Sequence, residues 1–175
     1  MNQEELKQKY GQQNIQRAPS STSSGFARSQ GGTNKSIPID NLGADYLKGS
    51  YFENGQIKAE LLTCESAHIA KILKDSGIKS TQIRNIFRQI RAIERTLDVQ
   101  SWDEAKTQVQ RLMPLAAYFV GRGQSEFERK GRENFKSFID QNVKLALQSN
   151  DSFKKGFVPH FESVVAYLRY YSPRG

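Results

Sequence analysis

One stretch of this chain leaves little freedom in how it can fold. In residues 80 to 98, STQIRNIFRQIRAIERTLD, the apolar side chains Ile83, Ile86, Phe87, Ile90, Ile93 and Leu97 recur at intervals of three and four. At about 100° per residue that spacing gathers them on one face of an α-helix, and no strand could bury them together. Arg84, Arg88, Arg91 and Arg95 recur in the same rhythm and form a second stripe, about 140° around the helix from the first. Like charges at these spacings repel, and an ordinary solvated face interleaves acids to offset this. Here Glu94 stands off the arginine line, so the stripe asks for an external anion.

The helical period continues through the rest of the chain. TCESAHIAKILKDSG predicts a helix capped by Thr63, with Ile69, Ile72 and Leu73 inward and Gly77 as its stop. Ser80 or Thr81 is the expected cap of the arginine helix. Ser101 with Glu104 three positions later forms a capping box ahead of SWDEAKTQVQRLM. Pro114 ends or kinks that helix, because it lacks the amide hydrogen of an interior position. LAAYFVGRG is a short apolar helix stopped by Gly121 and Gly123. SEFERKGRENFKSFIDQNVKLALQ turns Phe127, Phe135, Phe138, Ile139, Val143 and Leu147 inward. DSFKKGFVPHFESVVAYLRYY does so with Phe157, Phe161, Val164, Val165 and Leu168. Neither strand alternation nor an internal repeat nor a heptad register is evident. The expected fold class is all-α, a compact bundle of five or six short helices with a flexible N-terminal tail. The tail is residues 1–50, Gly-, Ser- and Gln-rich between 11 and 36 and with little to bury; residues 51–175 form the helical domain.

Charge narrows the partner. The chain carries a formal +8, of which the tail, with six basic and four acidic side chains, supplies only two. A folded part this basic, with an ordinary share of aromatics, points to a polyanion and most simply to nucleic acid. Arginine forks onto phosphate with two parallel hydrogen bonds, and each phosphate neutralised releases counterions. The candidate nucleic-acid-binding residues are therefore Arg84, Arg88, Arg91 and Arg95, with Lys79 directly ahead of the stripe; their pattern does not distinguish RNA from DNA. Tyr167, Arg169, Tyr170 and Tyr171 interleave rings and charge as base-stacking surfaces do, yet their helical spacing suits a core edge better.

An enzyme is not expected. The sequence holds no phosphate-cradling glycine loop, no HExxH, no nucleophile elbow and no paired carboxylates on one helical face. His68 and His160 read as partly buried helical residues, Cys64 as a small buried apolar residue, and Glu162 as a cap or packing ion pair. Neither histidine belongs to a Cys/His cluster, so no metal site and no cofactor is expected. The single cysteine excludes an internal disulfide and fits a reducing compartment. No apolar run approaches the roughly 18 residues that span a bilayer, and MNQEELKQKY lacks a signal-peptide core. The expected setting is cytoplasmic, without membrane contact.

Three motifs in order resemble a known family, the small helical subunit of type III-A CRISPR effector complexes, the second Csm protein. Ser80, Thr81, Gln82, Ile83 and Arg84 match its capped Gln-Ile-Arg opening. Leu112, Pro114, Ala117, Tyr118 and Arg122 match its Leu-x-Pro turn leading to Ala-Tyr and an arginine. FVPHFESVVAYLRYY is similar to its C-terminal signature. The resemblance covers about residues 51 to 172. It implies a non-catalytic all-α subunit of antiviral defence, stacking in several copies beside the backbone and large subunits and touching guide RNA and target RNA. It adds Arg122 to the candidate RNA-binding residues. Where family members commonly carry lysines around the motif's proline, this chain has Met113 and Leu115. Two other readings of the residues stay open: a helical protein–protein adaptor, and a helix-turn-helix regulator of DNA reading bases through Gln82 and Asn85.

Overall fold

The computed structural model describes Leu47 and residues 49–172, all within the second of two units of the chain, Lys35–Gly175. The expected tail lies outside the described residues except for Leu47, Gly49 and Ser50. Leu47 and Tyr51 are buried. Next come two short strands, β1 (Phe52–Glu53) and β2 (Gln56–Ile57), paired antiparallel with Phe52 opposite Ile57. Asn54 and Gly55 between them both have positive φ, 52° and 78°. That is the two-residue hairpin turn which Asn-Gly favours, because its twist matches that of the strands. The sequence shows no alternation here because a two-residue ladder is too short to display one.

The remainder is helical: α1 (Ala59–Leu62), α2 (Cys64–Asp75), α3 (Ser80–Thr96), α4 (Trp102–Gln110), α5 (Leu112–Gly121), α6 (Glu126–Ala146) and α7 (Val158–Tyr171), with a π-helical turn at Ser152–Phe157 leading into α7. The ends follow from local chemistry. Gly77 terminates α2 at φ 76°; its amide bonds to Lys74 O at 2.9 Å and that of Ile78 to Leu73 O at 3.1 Å. This is the paired closure that a left-handed residue allows after a helix. Thr63 flanks α2 as expected, but its hydroxyl donates back to Ala59 O at 2.8 Å instead of capping. The cap of α3 is Lys79, one position before the expected Ser80, which is itself helical and buried. Gln82 Oε1 accepts from Lys79 N at 3.0 Å.

The capping box of α4 is present: Ser101 N donates to Glu104 Oε2 at 3.0 Å, and Glu104 N to Ser101 Oγ at 3.4 Å. Pro114 cannot donate to Gln110 O, and α4 ends at Gln110. Pro114 then occupies the first turn of α5, where a missing amide costs nothing.

The core gathers on α7. Phe161 is fully buried and meets Phe87 at a ring separation of 5.6 Å, Phe135 at 6.1 Å, Phe138 at 5.6 Å and Phe157 at 5.8 Å. One side chain thus ties α3, α6 and the π turn to α7. Tyr51 is equally buried; its hydroxyl donates to Asn142 O at 2.9 Å and holds the hairpin against α6.

Phe127 departs from its expected inward position and is 64% exposed. It shares a face of α6 with Gly131 and Phe135 but lies one turn beyond them. There α2 has already ended, and the ring lies beside the turn at Gly77.

Candidate nucleic-acid interface

Four isoleucines orient α3. Ile83, Ile86, Ile90 and Ile93 are at most 6% exposed, so the opposite side of the helix faces outward. Arg88 and Arg95 are exposed there, while Arg84 and Arg91 are half-buried along the same stripe. Arg88 Nη2 donates to Asn85 Oδ1. Arg91 is paired with Glu94, 2.7 Å away at i,i+3. Glu94 was expected to stand clear of the stripe, yet an arginine is long enough to reach sideways to it. Arg84 Nε is buried and has no hydrogen-bond partner among the described residues. Also among these residues, no carboxylate pairs with Arg84, Arg88 or Arg95. The stripe is a positive ridge with one of its four charges locally offset.

Lys79 is exposed at the head of α3. Arg122 is not on the ridge. It caps the end of α5, with its guanidinium 5.8 Å from the centroid of the Tyr118 ring. Met113 and Leu115, which stand where lysines flank the related motif, are half-buried and pack against the core.

Between α3 and α5 runs an open groove of about 460 Å³. Gln82, Asn85 and Gln89 line it from α3, Leu115, Tyr118 and Arg122 from α5 and its end, and Glu128 and Arg132 from α6. Sequence reasoning passed over it, although the three amides recur at helical spacing on α3, between the isoleucines and the arginines.

The residues weighed as catalysts are scattered. His160 is fully buried, its Nδ1 2.6 Å from Leu61 O and 3.1 Å from Ser66 Oγ. Burial lowers its pKa from 6.5 to about 4, against a smaller opposite effect of the Leu61 carbonyl. It joins α7 to α1 as a neutral ring. His68 and Cys64, expected to be at least partly buried, are exposed; they continue the line of Ile72 toward the start of α2, at the edge of its buried face. Glu162 is also exposed. Among the described residues, no group of three or more His, Cys, Asp or Glu could hold a metal ion, and no helix is long and apolar enough to cross a membrane. Tyr167 and Tyr171 stack on each other at 6.4 Å, leaving Tyr170 exposed at the end of α7.

The Csm2 Type III-A family model matches residues 56–174, from β2 past the end of α7. No curated protein and no solved structure gives a match.

Proposed function

Since the chain belongs to the Csm2 type III-A family, the small subunit of a type III-A CRISPR complex, we propose that it works there as a non-catalytic RNA-holding subunit. In this reading several copies stack along the complex beside its backbone and large subunits, and the α3 ridge of each holds the guide–target RNA by its phosphates. The observation that carries it is the ridge: Arg88 and Arg95 point to solvent from a helix whose isoleucine face commits it to the core. One helical turn, about 5.4 Å, separates successive arginines, so a single helix can follow a strand. Phosphate contact of this kind is independent of sequence and weakens with salt. The non-catalytic reading is supported by where the candidate bases lie, with His160 sealed in the core and His68 and Glu162 apart on the surface.

The test is target-RNA affinity of the reconstituted complex at several salt concentrations, comparing Arg88→Ala/Arg95→Ala with the parent. Both residues are exposed, so the fold and the assembly should survive. The expected result is weaker binding for unrelated RNA sequences alike, and a salt slope shallower by roughly one unit per lost contact. Unchanged affinity and slope in an intact complex would assign the ridge to an acidic neighbouring subunit instead.

A further inference from the structure

We propose that the groove between α3 and α5 is a nucleobase pocket, taking a base from the strand whose phosphates lie on the α3 ridge; the inference rests on the reading of that ridge given above. Its volume, about 460 Å³, falls in the range of small-ligand sites, roughly 300–1,000 Å³. The chemistry of its walls is what selects a base. Gln82 and Asn85, whose side-chain oxygens accept from Lys79 N and Arg88, offer their amino groups, and Gln89 ends in a carbonyl and an amino group side by side. That is the donor–acceptor pair which matches a base edge with two hydrogen bonds. On α5 Tyr118 is 64% exposed, with the Arg122 guanidinium 5.8 Å from its ring centroid. Aromatic rings and guanidinium planes are the surfaces on which unpaired bases stack.

Of the three charged groups that line the pocket, Arg122, Glu128 and Arg132, two offset each other. Arg132 is committed: Nη1 donates to Phe119 O at 3.0 Å, Nη2 lies 3.4 Å from Glu128, and its Cζ sits 4.7 Å from the Phe119 ring centroid. The Glu128 carboxylate also accepts from Gln124 N at 3.0 Å. Arg132 and Glu128 thus cancel, and Arg122 beside the Tyr118 ring is the remaining charge among amides and rings. Ridge and groove are adjoining surfaces of one helix, because Arg88 bonds to Asn85, which lines the groove. A phosphate held at Arg88 therefore places its own base beside Asn85, whose amino group remains available to donate.

The experiment follows the side-chain amide resonances of Gln82, Asn85 and Gln89 and the Tyr118 ring by NMR in the full chain. Three probes are titrated: a short single-stranded RNA, the same ribose-phosphate strand without bases, and nucleoside 5′-monophosphates. The pocket is supported if the amides and ring shift with the base-bearing strand and not with the abasic one. It is also supported if Tyr118→Ala lowers RNA affinity by roughly fivefold or more, the low end for one stacked base, at an unchanged salt slope. Matching shifts with the monophosphates would identify a free nucleotide as the occupant, and their absence a base of the bound strand. An equal response to base-bearing and abasic strands overturns the pocket while leaving the ridge intact. Amides that stay unmoved by all three probes overturn it too, and leave the groove to a protein segment. Failure of the ridge shows separately, as a salt slope that Arg88→Ala/Arg95→Ala does not change.

Discussion

His160 makes the stability of the fold depend on pH. Buried between α7 and α1, the ring donates from Nδ1 to Leu61 O, which requires only the neutral form. Its folded pKa is about 4 against an ordinary 6.5, so between those values the unfolded chain binds a proton that the folded chain refuses. Stability is complete above pH 6.5 and declines as the pH falls toward 4, by about 3 kcal/mol in all. Urea unfolding at pH 7.5 and pH 4.5 should show this loss, and His160→Gln, if it folds, should show a flatter profile. An equal decline in both would place the acid sensitivity elsewhere. The phenylalanines at the hub separate in the same way. Phe161→Ala empties a site enclosed on every side and should cost about 3–5 kcal/mol. Phe87 stacks on it but is half-buried, so Phe87→Ala should cost less. Denaturant midpoints of the two variants give the order, and its reversal would mean that α3 seals the core at Phe87.

At the scale of elements, helices meet where side chains are absent. A Cβ on Gly131 would run into the carbonyl oxygen of Ser76, so α6 crosses the end of α2 only because that position is bare. Gly131→Ala should destabilise by about 1–3 kcal/mol, the usual cost of overpacking. A variant that melts like the parent would show that the two helices can part without loss. Much of each element is legible along the chain. The Gly77 stop, the Ser101–Glu104 box and the break before Pro114 all depend on groups within a few residues of one another. The Arg91–Glu94 pair is just as local, and was missed because a stripe drawn through backbone angles ignores the reach of long side chains. The groove was half legible. Gln82, Asn85 and Gln89 share a flank of α3, but nothing in their spacing says that α5 stands opposite.

Across the whole molecule, one aromatic hub joins α3, α6, the π turn and α7, and the helical domain should unfold as one unit. The single tryptophan offers a check, since Trp102 on α4 lies 6.1 Å from Phe153 at the edge of that hub. Its fluorescence and the far-ultraviolet circular dichroism should follow one urea transition. Separate midpoints would mean that α4 and α5 come away before the rest. By itself the sequence determined the all-α class, most helix ends, the inward faces and the basic ridge, because periodicity and capping act between near neighbours. It also held the three motifs of the family. Only the tertiary structure decided that His160 is sealed while His68 is exposed, that Phe127 overshoots its partner helix, and that an amide-lined groove opens between α3 and α5. Those outcomes depend on which helix lies opposite and where that helix ends, and such distances are set by packing between residues far apart in the chain.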